Sequence, residues 1–296
     1  MESQPIIVDE LDRRILLALI AQPLVPFSQL ADRLGASTAT IAARYKRLHR
    51  QGLVRITGRT LPGFGGRHAY LVRAGSRPDH VAHLASSVAA YDNSRWVRIS
   101  KDGTELMCGL VTDSPAHDPI LTLLPSEALR SLDVHELLHV WGVGSSLSTH
   151  PPGSIDHLDE ALIAHLAADG RASLRDLARS LQVNASTVSR RRQHLIDSGV
   201  LYFEADVHPE ALGGTGDAMV WMSLPPGRIR AAGQRLRADS RVRFTAATSG
   251  SSDLVAHVHV MDNQTLLAFV DETLADLEVA STTVIPMGRV LKRNAV

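Results

Sequence analysis

Three consecutive arginines, Arg190 to Arg192, follow a cluster of small hydroxyl residues in the stretch NASTVSRRRQHLIDSGV, residues 184–200. A guanidinium group donates several hydrogen bonds in a planar fork, which suits phosphate oxygens and the base edges of nucleic acids. Short hydroxyl side chains beside it permit a close approach to such a surface. This stretch therefore favours recognition of an anionic partner that accepts hydrogen bonds.

Positive charge is concentrated in a second stretch, although the chain as a whole is neutral. Its 296 residues include 31 basic and 31 acidic side chains. From Arg33 to Arg77, however, ten Lys or Arg residues occur without a single Asp or Glu. A neutral total argues against a general polyanion binder, so an anionic partner would have to meet these local regions.

The two basic stretches belong to an internal repeat. A shift of 147 positions places residues 8–54 on residues 155–201 without a gap, and the apolar positions match. Identical pairs include Asp9 with Asp156, Asp12 with Asp159, Thr40 with Thr187, and Arg44 with Arg191. Between the copies, GVGSSLSTHPPGS, residues 142–154, is typical of a linker. The chain is therefore predicted to consist of two similar halves.

Each copy begins with a pattern that predicts three short helices. In the second copy, apolar residues at helical spacing indicate a first helix over residues 155–168. Ser173 is predicted to cap the second helix, and Asn184 to cap a third helix that ends at Gly199. In the first copy Ser37 is the expected cap, but prolines replace the residues around Ser173. The short turn before the third helix indicates a helix-turn-helix unit.

The outward face of the third helix carries the residues that suit a nucleic acid. With Val188 and Leu195 turned to the core, steps of about 100° per residue turn Ser186, Arg190, Gln193 and Asp197 outward. Base-edge contacts are expected from Ser186, Thr187, Arg190 and His194, and phosphate contacts from Arg44, Arg47, Arg50 and Arg191. Ser37, Thr38, Thr40 and Lys46 complete the predicted DNA-binding residues. A charged helix face is often only solvated, but here the pattern recurs in register, which favours DNA binding.

These segments resemble the Lrp/AsnC (feast/famine) family of transcriptional regulators. The resemblance rests on DELDRRIL and DHLDEALI, and on ADRLGASTATIAARYKRLHRQGLV and ARSLQVNASTVSRRRQHLIDSGVL. It implies an α+β protein in which two winged or plain helix-turn-helix DNA-binding domains alternate with two βαββαβ, ferredoxin-like effector domains. The expected boundaries are 1–60 and 61–143, a linker at 144–154, then 155–209 and 210–296. The implied partners are double-stranded DNA and a small-molecule effector, such as an amino acid.

In the second effector domain, the expected strands lie near residues 218–224, 241–248, 253–260 and 277–285, with helices over 228–238 and 264–276. Typical family members are single copies of about half this length that pair through their effector domains. The fused chain therefore implies an intramolecular pseudo-dimer, which is also expected to form further homo-oligomers. Its two recognition helices would meet half-sites about one DNA turn apart.

The resemblance also implies an effector cleft at a Gly-x-x-Asp turn, which TSGSSDLVAHV matches at Gly250 and Asp253. Together with Thr248 and Ser252, such a turn presents amides to a carboxylate, while the Asp suits an ammonium group. The same composition also suits a plain connecting turn. The corresponding segment of the first half, ISKDGTELMCG, offers Asp102 and Glu105 without the matching glycine.

Two histidine pairs keep an enzyme hypothesis open. His257 and His259 would share one face of a strand, as would His135 and His139 if their segment is also a strand. Without a convergent carboxylate or Cys the pairs are a weak metal signal, so no metal or cofactor is expected. Sirohaem decarboxylases resemble this architecture and use histidines in the effector-domain cleft, which makes such an enzyme the alternative to a non-enzymatic regulator. A nucleoid-type architectural DNA binder is the other alternative.

The remaining features are those of an ordinary cytoplasmic protein, which is the expected location. The longest apolar run, residues 15–21, is too short to cross a bilayer, so no membrane partner is expected. The acidic start MESQPIIVDE lacks the pattern of a secretory signal. Cys108, the single cysteine, is expected to be a buried, unreactive thiol.

Overall fold

The computed structural model describes residues 8–60, 67–123, 128–141, 155–213 and 216–293. The chain divides into two compact units. Among the described residues, one unit combines 8–60 with 155–213, and the other combines 67–123 and 128–141 with 216–293. The linker expected at 144–154 lies outside the described residues.

The helices and strands follow the same order in both halves. The first half contains α1 (Glu10–Ala21), α2 (Phe27–Leu34), α3 (Thr38–Arg50), β1 (Val54–Thr60), β2 (His68–Ser76), α4 (Pro78–Ala89), β3 (Ser94–Ser100), β4 (Glu105–Thr112), α5 (Pro119–Leu123) and β5 (Leu129–Trp141). The second half contains α6 (His157–Ala168), α7 (Leu174–Ser180), α8 (Ala185–Asp197), β6 (Leu201–Val207), β7 (Gly216–Ser223), α9 (Ile229–Ala238), β8 (Val242–Thr248), β9 (Leu254–Val260), α10 (Asn263–Ala268) and β10 (Ser281–Lys292).

Capping explains most of the helix starts. The Asp9 side chain accepts from the Asp12 amide at 2.9 Å, and Asp12 accepts from the Asp9 amide at 3.1 Å. The second copy repeats this capping box with Asp156 and Asp159. Such caps satisfy amides that have no partner inside the helix.

The predicted caps of the later helices are mostly confirmed. Ser37 and Ser173 accept hydrogen bonds from the third helical residue, as expected. Asn184 was expected to cap α8 through its side chain; it occupies the cap position, but its side chain makes no capping hydrogen bond, so that detail is wrong. In the first copy α2 forms behind Pro26, which likewise provides no side-chain cap.

The unit formed by residues 8–60 and 155–213 is called the helical unit below. In it, one strand from each copy joins the two sets of three helices, or trios. β1 and β6 pair antiparallel over their full length, from Val54 opposite Val207 to Thr60 opposite Leu201. The strands are exchanged, since β1 packs on α6 and β6 packs on α1. Within residues 8–60 and 155–213 each trio is therefore followed by a single strand that pairs across copies, and not by the hairpin of a winged variant.

In the other unit, the two βαββαβ halves form a closed eight-stranded barrel in the order β10-β3-β4-β2-β5-β8-β9-β7. The halves meet where β5 pairs with β8 and where β10 pairs with β3. These junctions use the second part of each long strand, residues 137–141 of β5 and 287–292 of β10, while the first part pairs within its own half. One seam also depends on a glycine, because a Cβ at Gly233 in α9 would lie 2.4 Å from the ring of Trp141 in β5.

Successive side chains along each strand point alternately into the barrel interior and towards the helices that cover its outside. In β7, Ala218, Val220 and Met222 join the core under the helices of the second half. Met219 and Trp221 on the opposite face form an interior cluster with residues of the first half, such as Leu71 and Met107. Cys108 is fully buried under α4, and burial raises the pKa of its thiol to about 12, which agrees with the expected unreactive thiol.

The structure corrects two expectations. The last strand does not begin at residue 277, because the helical path after α10 continues through a π-helical turn, Phe269–Leu274, and a 3-10 turn, Ala275–Leu277. His135 and His139 do not share a face, because a bulge between Leu137 and His139 shifts the alternation of β5. His135 stacks on Trp221 inside the barrel, whereas His139 meets Trp141 in the core of the helix-covered side. No helix among the described residues is long and apolar enough to cross a membrane.

The turn before the third helix provides a stability test, because equivalent residues are left-handed in both copies. Gly35 has φ 67° and Gln182 has φ 55°. This conformation costs a non-glycine residue about 1 kcal/mol. We expect Gly35→Gln to lower the free energy of unfolding by about 1 kcal/mol. Gln182→Gly should raise it by less, because glycine loses more backbone entropy on folding.

Urea unfolding of the full chain, followed by far-ultraviolet circular dichroism, measures both changes. A Cβ at Gly35 would meet no atom within 4 Å, so the first change tests backbone strain and not a clash. Shifts of the same sign in the two variants would contradict the strain argument.

Candidate nucleic-acid interface and ligand sites

The outward face of α8 is open to solvent. Ser186, Arg190, Gln193 and His194 are exposed, and Thr187 is half-buried, while Val188 and Leu195 lie in the core. Gln193 donates to Asp197 within the same helix at 2.8 Å. Arg190 has neither an ion pair nor a hydrogen bond to any residue that the structure describes. It is therefore available to an external acceptor.

The equivalent face of α3 is also exposed but differs in chemistry. Thr38, Lys46 and Arg50 are exposed, and neither of these two cations has an ion pair within the described part of the chain. Ser37 and Thr40 are exposed as well, but their hydroxyls bond to each other at 2.8 Å at the helix start. The face of α3 therefore presents free positive charge and few free hydroxyl groups.

Three of the arginines expected to contact phosphate are already bound to carboxylates of the first helix. Arg44 lies 2.5 Å from Asp9 and 3.0 Å from the fully buried Asp12, which also pairs with Arg47. The hydrogen bond from Arg44 lowers the pKa of Asp9 to about 2. These pairs fix α3 against α1.

The second copy repeats the arrangement with one arginine. Arg191 lies 2.7 Å from Asp156 and 3.0 Å from Asp159. His194 stands where the first copy has Arg47. A phosphate contact by Arg44, Arg47 or Arg191 remains a prediction, and it would have to be made alongside these ion pairs.

Arg171 joins the two copies within the helical unit, as does Arg59, which lies 3.7 Å from Glu204. Arg171, in the turn before α7, donates to the carbonyl of Pro23 at 2.9 and 3.1 Å and to that of Val25 at 2.8 Å. Its guanidinium lies 4.6 Å from the ring centroid of Phe27 and 5.4 Å from that of Tyr45. This contact fixes the second copy to the first at one point beside the β1–β6 pairing.

The expected effector turn lies between β8 and β9, and its polar groups are used internally. Thr248 donates its hydroxyl to the Ser252 carbonyl at 2.8 Å, and Asp253 accepts from the Leu224 amide at 2.9 Å. Gly250 is exposed with φ 90°, and a Cβ there would lie 3.0 Å from the ring of His135. The turn is thus built for a specific conformation, while contact with an effector stays a prediction.

The corresponding carboxylates of the first half also have partners in the protein. Asp102 accepts from the Ser100 hydroxyl at 2.5 Å, which lowers the pKa of Asp102, and from the Thr104 amide at 3.1 Å. Glu105 forms a two-pronged pair with Arg73 at 2.6 and 2.7 Å. An effector would have to compete with these interactions.

The barrel interior contains a polar cluster that includes the expected histidine pair. Asp217 accepts from Arg98, and its other oxygen lies 2.5 Å from His257 and 3.9 Å from His259. The two histidines therefore do lie on one face of β9. Burial alone would raise the pKa of Asp217, but His257 and Arg98 outweigh burial and hold that pKa well below its usual range.

Arg243, from β8, completes this interior cluster. It lies at a register shift between Val242 and Phe244, and Phe244 is opposite His257 in the pairing of β8 with β9. Burial lowers the pKa of Arg243 and also that of His259. Within the described residues, no group of three His, Cys, Asp or Glu side chains is placed to hold a metal ion. The cluster is therefore a concentration of cations and imidazoles around one carboxylate.

The sequence reasoning missed Arg171, Arg98, Asp217 and Arg243. One available signal was Asp217, a carboxylate at the start of an otherwise apolar strand, DAMVWM. Another was Arg171, which stands where the first copy has Leu24. No sequence pattern indicated the pairing of Arg98 with Asp217, since these residues belong to different halves of the chain.

Family models match both the helical and the barrel-forming parts of the chain. The AsnC-type helix-turn-helix domain matches residues 8–49 and again residues 155–196. The Lrp/AsnC ligand binding domain matches residues 217–296. The repeated match agrees with the predicted tandem form.

Similar proteins include two from Mycobacterium tuberculosis. The HTH-type transcriptional regulator AldR is 32% identical over 136 residues, covering 44% of this chain and 76% of AldR. The HTH-type transcriptional regulator Rv2324 is 30% identical over 138 residues, covering 44% of this chain and 91% of its own. Each relative therefore matches less than half of the duplicated chain.

A solved structure resembles nearly the whole chain. The siroheme decarboxylase NirDL, in complex with an iron-uroporphyrin III analogue, aligns with a TM-score of 0.63, covering 97% of this chain and 94% of NirDL. At 16% sequence identity this likeness concerns the fold alone. The sequence similarity to AldR and Rv2324 and the matched domains identify the family: the chain belongs to the Lrp/AsnC family and carries its helix-turn-helix domain twice.

Proposed function

We propose that this protein is a sequence-specific DNA-binding transcriptional regulator whose DNA affinity or assembly responds to a small-molecule effector. The observation that carries the proposal is the exposed outward face of α8, with Arg190 unpaired among the described residues. The equivalent face of α3, with Lys46 and Arg50, lies in the same compact unit. The names of the relatives support the proposal, because AldR and Rv2324 are transcriptional regulators.

The two recognition helices would have different tasks. Arg190 and Ser186 of α8 replace Ala43 and Ala39 of α3, and arginine can form a two-pronged hydrogen bond with a guanine edge. Conversely, Lys46 and Arg50 of α3 replace Gln193 and Asp197 of α8. Point charges on α3 suit phosphates, which carry affinity without sequence information. We infer that the second copy discriminates among sequences and that the first mainly adds affinity.

Effector control is supported by the match to a ligand binding domain in the second half. An amino acid would suit the proposed site at Thr248, Gly250, Ser252 and Asp253, with Asp102 and Glu105 in the first half. An effector changes DNA affinity only if it binds one arrangement of the DNA-binding domains more tightly than another. Genomic footprinting with and without candidate amino acids tests both parts of the proposal. Retention of fragments without sequence preference, falling steeply as salt rises, would instead indicate an architectural DNA binder.

The two recognition helices can be tested with paired arginine substitutions. We expect Arg190→Ala to reduce discrimination at one base step by about 1 to 3 kcal/mol. Arg50→Ala should weaken all sequences alike and lower the slope of log affinity against log salt by about one unit. Arg50 serves here in place of Arg44 because Arg44 also holds α1 and α3 together.

Fluorescence anisotropy with a selected duplex and a shuffled duplex, across a salt series, measures both effects. Equal losses on the two duplexes for Arg190→Ala would reject its assignment to a base edge.

Arg171 tests whether the contact between the copies sets the spacing of the half-sites. Arg171→Met removes the hydrogen bonds to the Pro23 and Val25 carbonyls and should lower the free energy of unfolding of the helical unit by about 2 kcal/mol. The preference of the wild type for one half-site spacing should fall about tenfold, since the two heads would be less firmly positioned.

Binding titrations against duplexes that differ only in spacer length measure this preference. Arg175→Met is a matched control, because Arg175 is exposed in α7 and has no ion pair among the described residues. An unchanged spacing preference in Arg171→Met would remove the positioning role.

The second candidate function is a sirohaem-decarboxylase-like enzyme. It is favoured by His257 and His259 beside Arg98 in the barrel interior and by the fold similarity to NirDL. A regulator that binds no tetrapyrrole should stay colourless after incubation with an iron tetrapyrrole and gel filtration. Stoichiometric retention of visible absorbance by the full chain, lost in His257→Ala, would favour the enzyme.

A further inference from the structure

The polar cluster in the barrel interior contains more positive charge than the described protein groups neutralise. Arg98 and Arg243 contribute two positive charges, whereas Asp217, which accepts from Arg98, is the one carboxylate of the cluster among the described residues. Only 12% of the Arg98 side chain and 6% of the Asp217 side chain are exposed. With both histidines neutral the cluster has a net charge of +1, and a proton on either histidine adds to this surplus.

Arg243 is the source of the surplus. It is half-buried, and burial lowers the pKa of its guanidinium, but it has no salt bridge among the described residues. A guanidinium stays charged in proteins, so it cannot relieve this situation by losing its proton. Enclosing a charge without a partner costs several kcal/mol, as a general rule.

Hydrogen-bond donors in the cluster are also unused. The Nε atoms of Arg98 and Arg243 are both shielded from solvent, and neither has an acceptor among the described residues. Buried polar groups in folded proteins almost always have partners, and two such donors beside unneutralised charge suit an acceptor with negative charge.

We propose that the barrel interior binds one small carboxylate between Arg98 and Arg243, beside His257 and His259. A carboxylate supplies a single negative charge, which matches the surplus, and two oxygens that can accept from the two Nε–H groups. The side chain of His257, which is 27% exposed, connects the cluster to solvent.

Within the part of the chain that the structure describes, the site occurs once. In the pairing of β7 with β9, Asp217 lies opposite His259, and Met219 opposite His257. The equivalent pairs of β2 with β4 are Ala69 with Val111 and Leu71 with Gly109, so the first half lacks the carboxylate and both imidazoles. Instead it contributes Arg98 to the site of the second half. One ligand per chain follows from this asymmetry.

Thermal unfolding and isothermal titration of the full chain with sodium acetate test the proposal. Acetamide serves as the neutral isostere, and sodium chloride at equal ionic strength as the salt control. Acetate should raise the unfolding midpoint by several degrees, saturably and with one site per chain, while acetamide and chloride should not. Equal stabilisation by chloride or by acetamide would overturn the carboxylate assignment.

Arg243→Gln should reduce acetate affinity at least about tenfold, because it removes a charged donor. Without ligand the variant should be at least as stable as the wild type, since the unpaired charge is gone. Arg237→Gln makes the same charge change at an exposed position of α9 and should leave acetate binding intact. Retained binding in Arg243→Gln would refute the site.

A measurement on the wild type keeps the proposal testable if the variant does not fold. Acetate should shift the Nε–H nuclear magnetic resonance signals of Arg98 and Arg243, and unchanged signals at saturating acetate would reject the proposal. None of these measurements involves DNA, so this site and the DNA-binding proposal can fail independently.

Discussion

The antiparallel pairing of β1 with β6 is the constraint on which the helical unit depends. Neither strand has another strand partner within the described residues, so without this pairing the backbone groups of both would lose their hydrogen bonds. Because β1 packs on α6 and β6 on α1, each helical trio also obtains part of its apolar core from the other copy. The two DNA-binding domains are therefore parts of one folded unit. A fixed relation between recognition helices is what a two-part DNA site requires.

The barrel also depends on strand pairing between the two halves of the chain, with four strands from each half. Each βαββαβ half alone would leave its two edge strands without a neighbour, and the halves supply these neighbours to each other where β5 pairs with β8 and β10 pairs with β3. In both units, one half of the fused chain therefore pairs with the other half, as expected for an intramolecular pseudo-dimer. Interior side chains then come from both halves, so a cluster such as Arg98 with Asp217 can form only when the halves are paired.

The sequence predicted those features that depend on local chemistry. Helix starts at Ser37 and Ser173, helix ends before Gly52 and Gly199, and exposure of the α8 face all follow from capping rules and helical periodicity. The order of helices and strands followed from the family resemblance. The errors were also local, because nothing in the residue pattern revealed the bulge in β5 or the π-helical turn after α10.

The remaining features depend on residues that are distant in sequence. The basic pattern alone does not reveal that Arg44 and Arg191 pair with carboxylates of the first helices, since these partners lie more than 30 positions away. The contacts of Arg171 and Arg98 are harder still to predict from sequence, because each side chain bonds to a residue in the other half of the chain. Such contacts require the tertiary structure, which periodicity does not provide.

Arg171 and the Arg98 cluster share a property that explains why the duplication matters. In the first copy, Leu24 and Ala69 stand at the positions of Arg171 and Asp217, so neither contact has a symmetric counterpart. A homodimer of single-copy chains must place identical residues on both sides of its axis, and every contact then occurs twice. Fusion removes that restriction, so one recognition helix can carry Arg190 while the other carries Lys46 and Arg50. The differences between the copies therefore favour a DNA site with unequal halves over a palindrome.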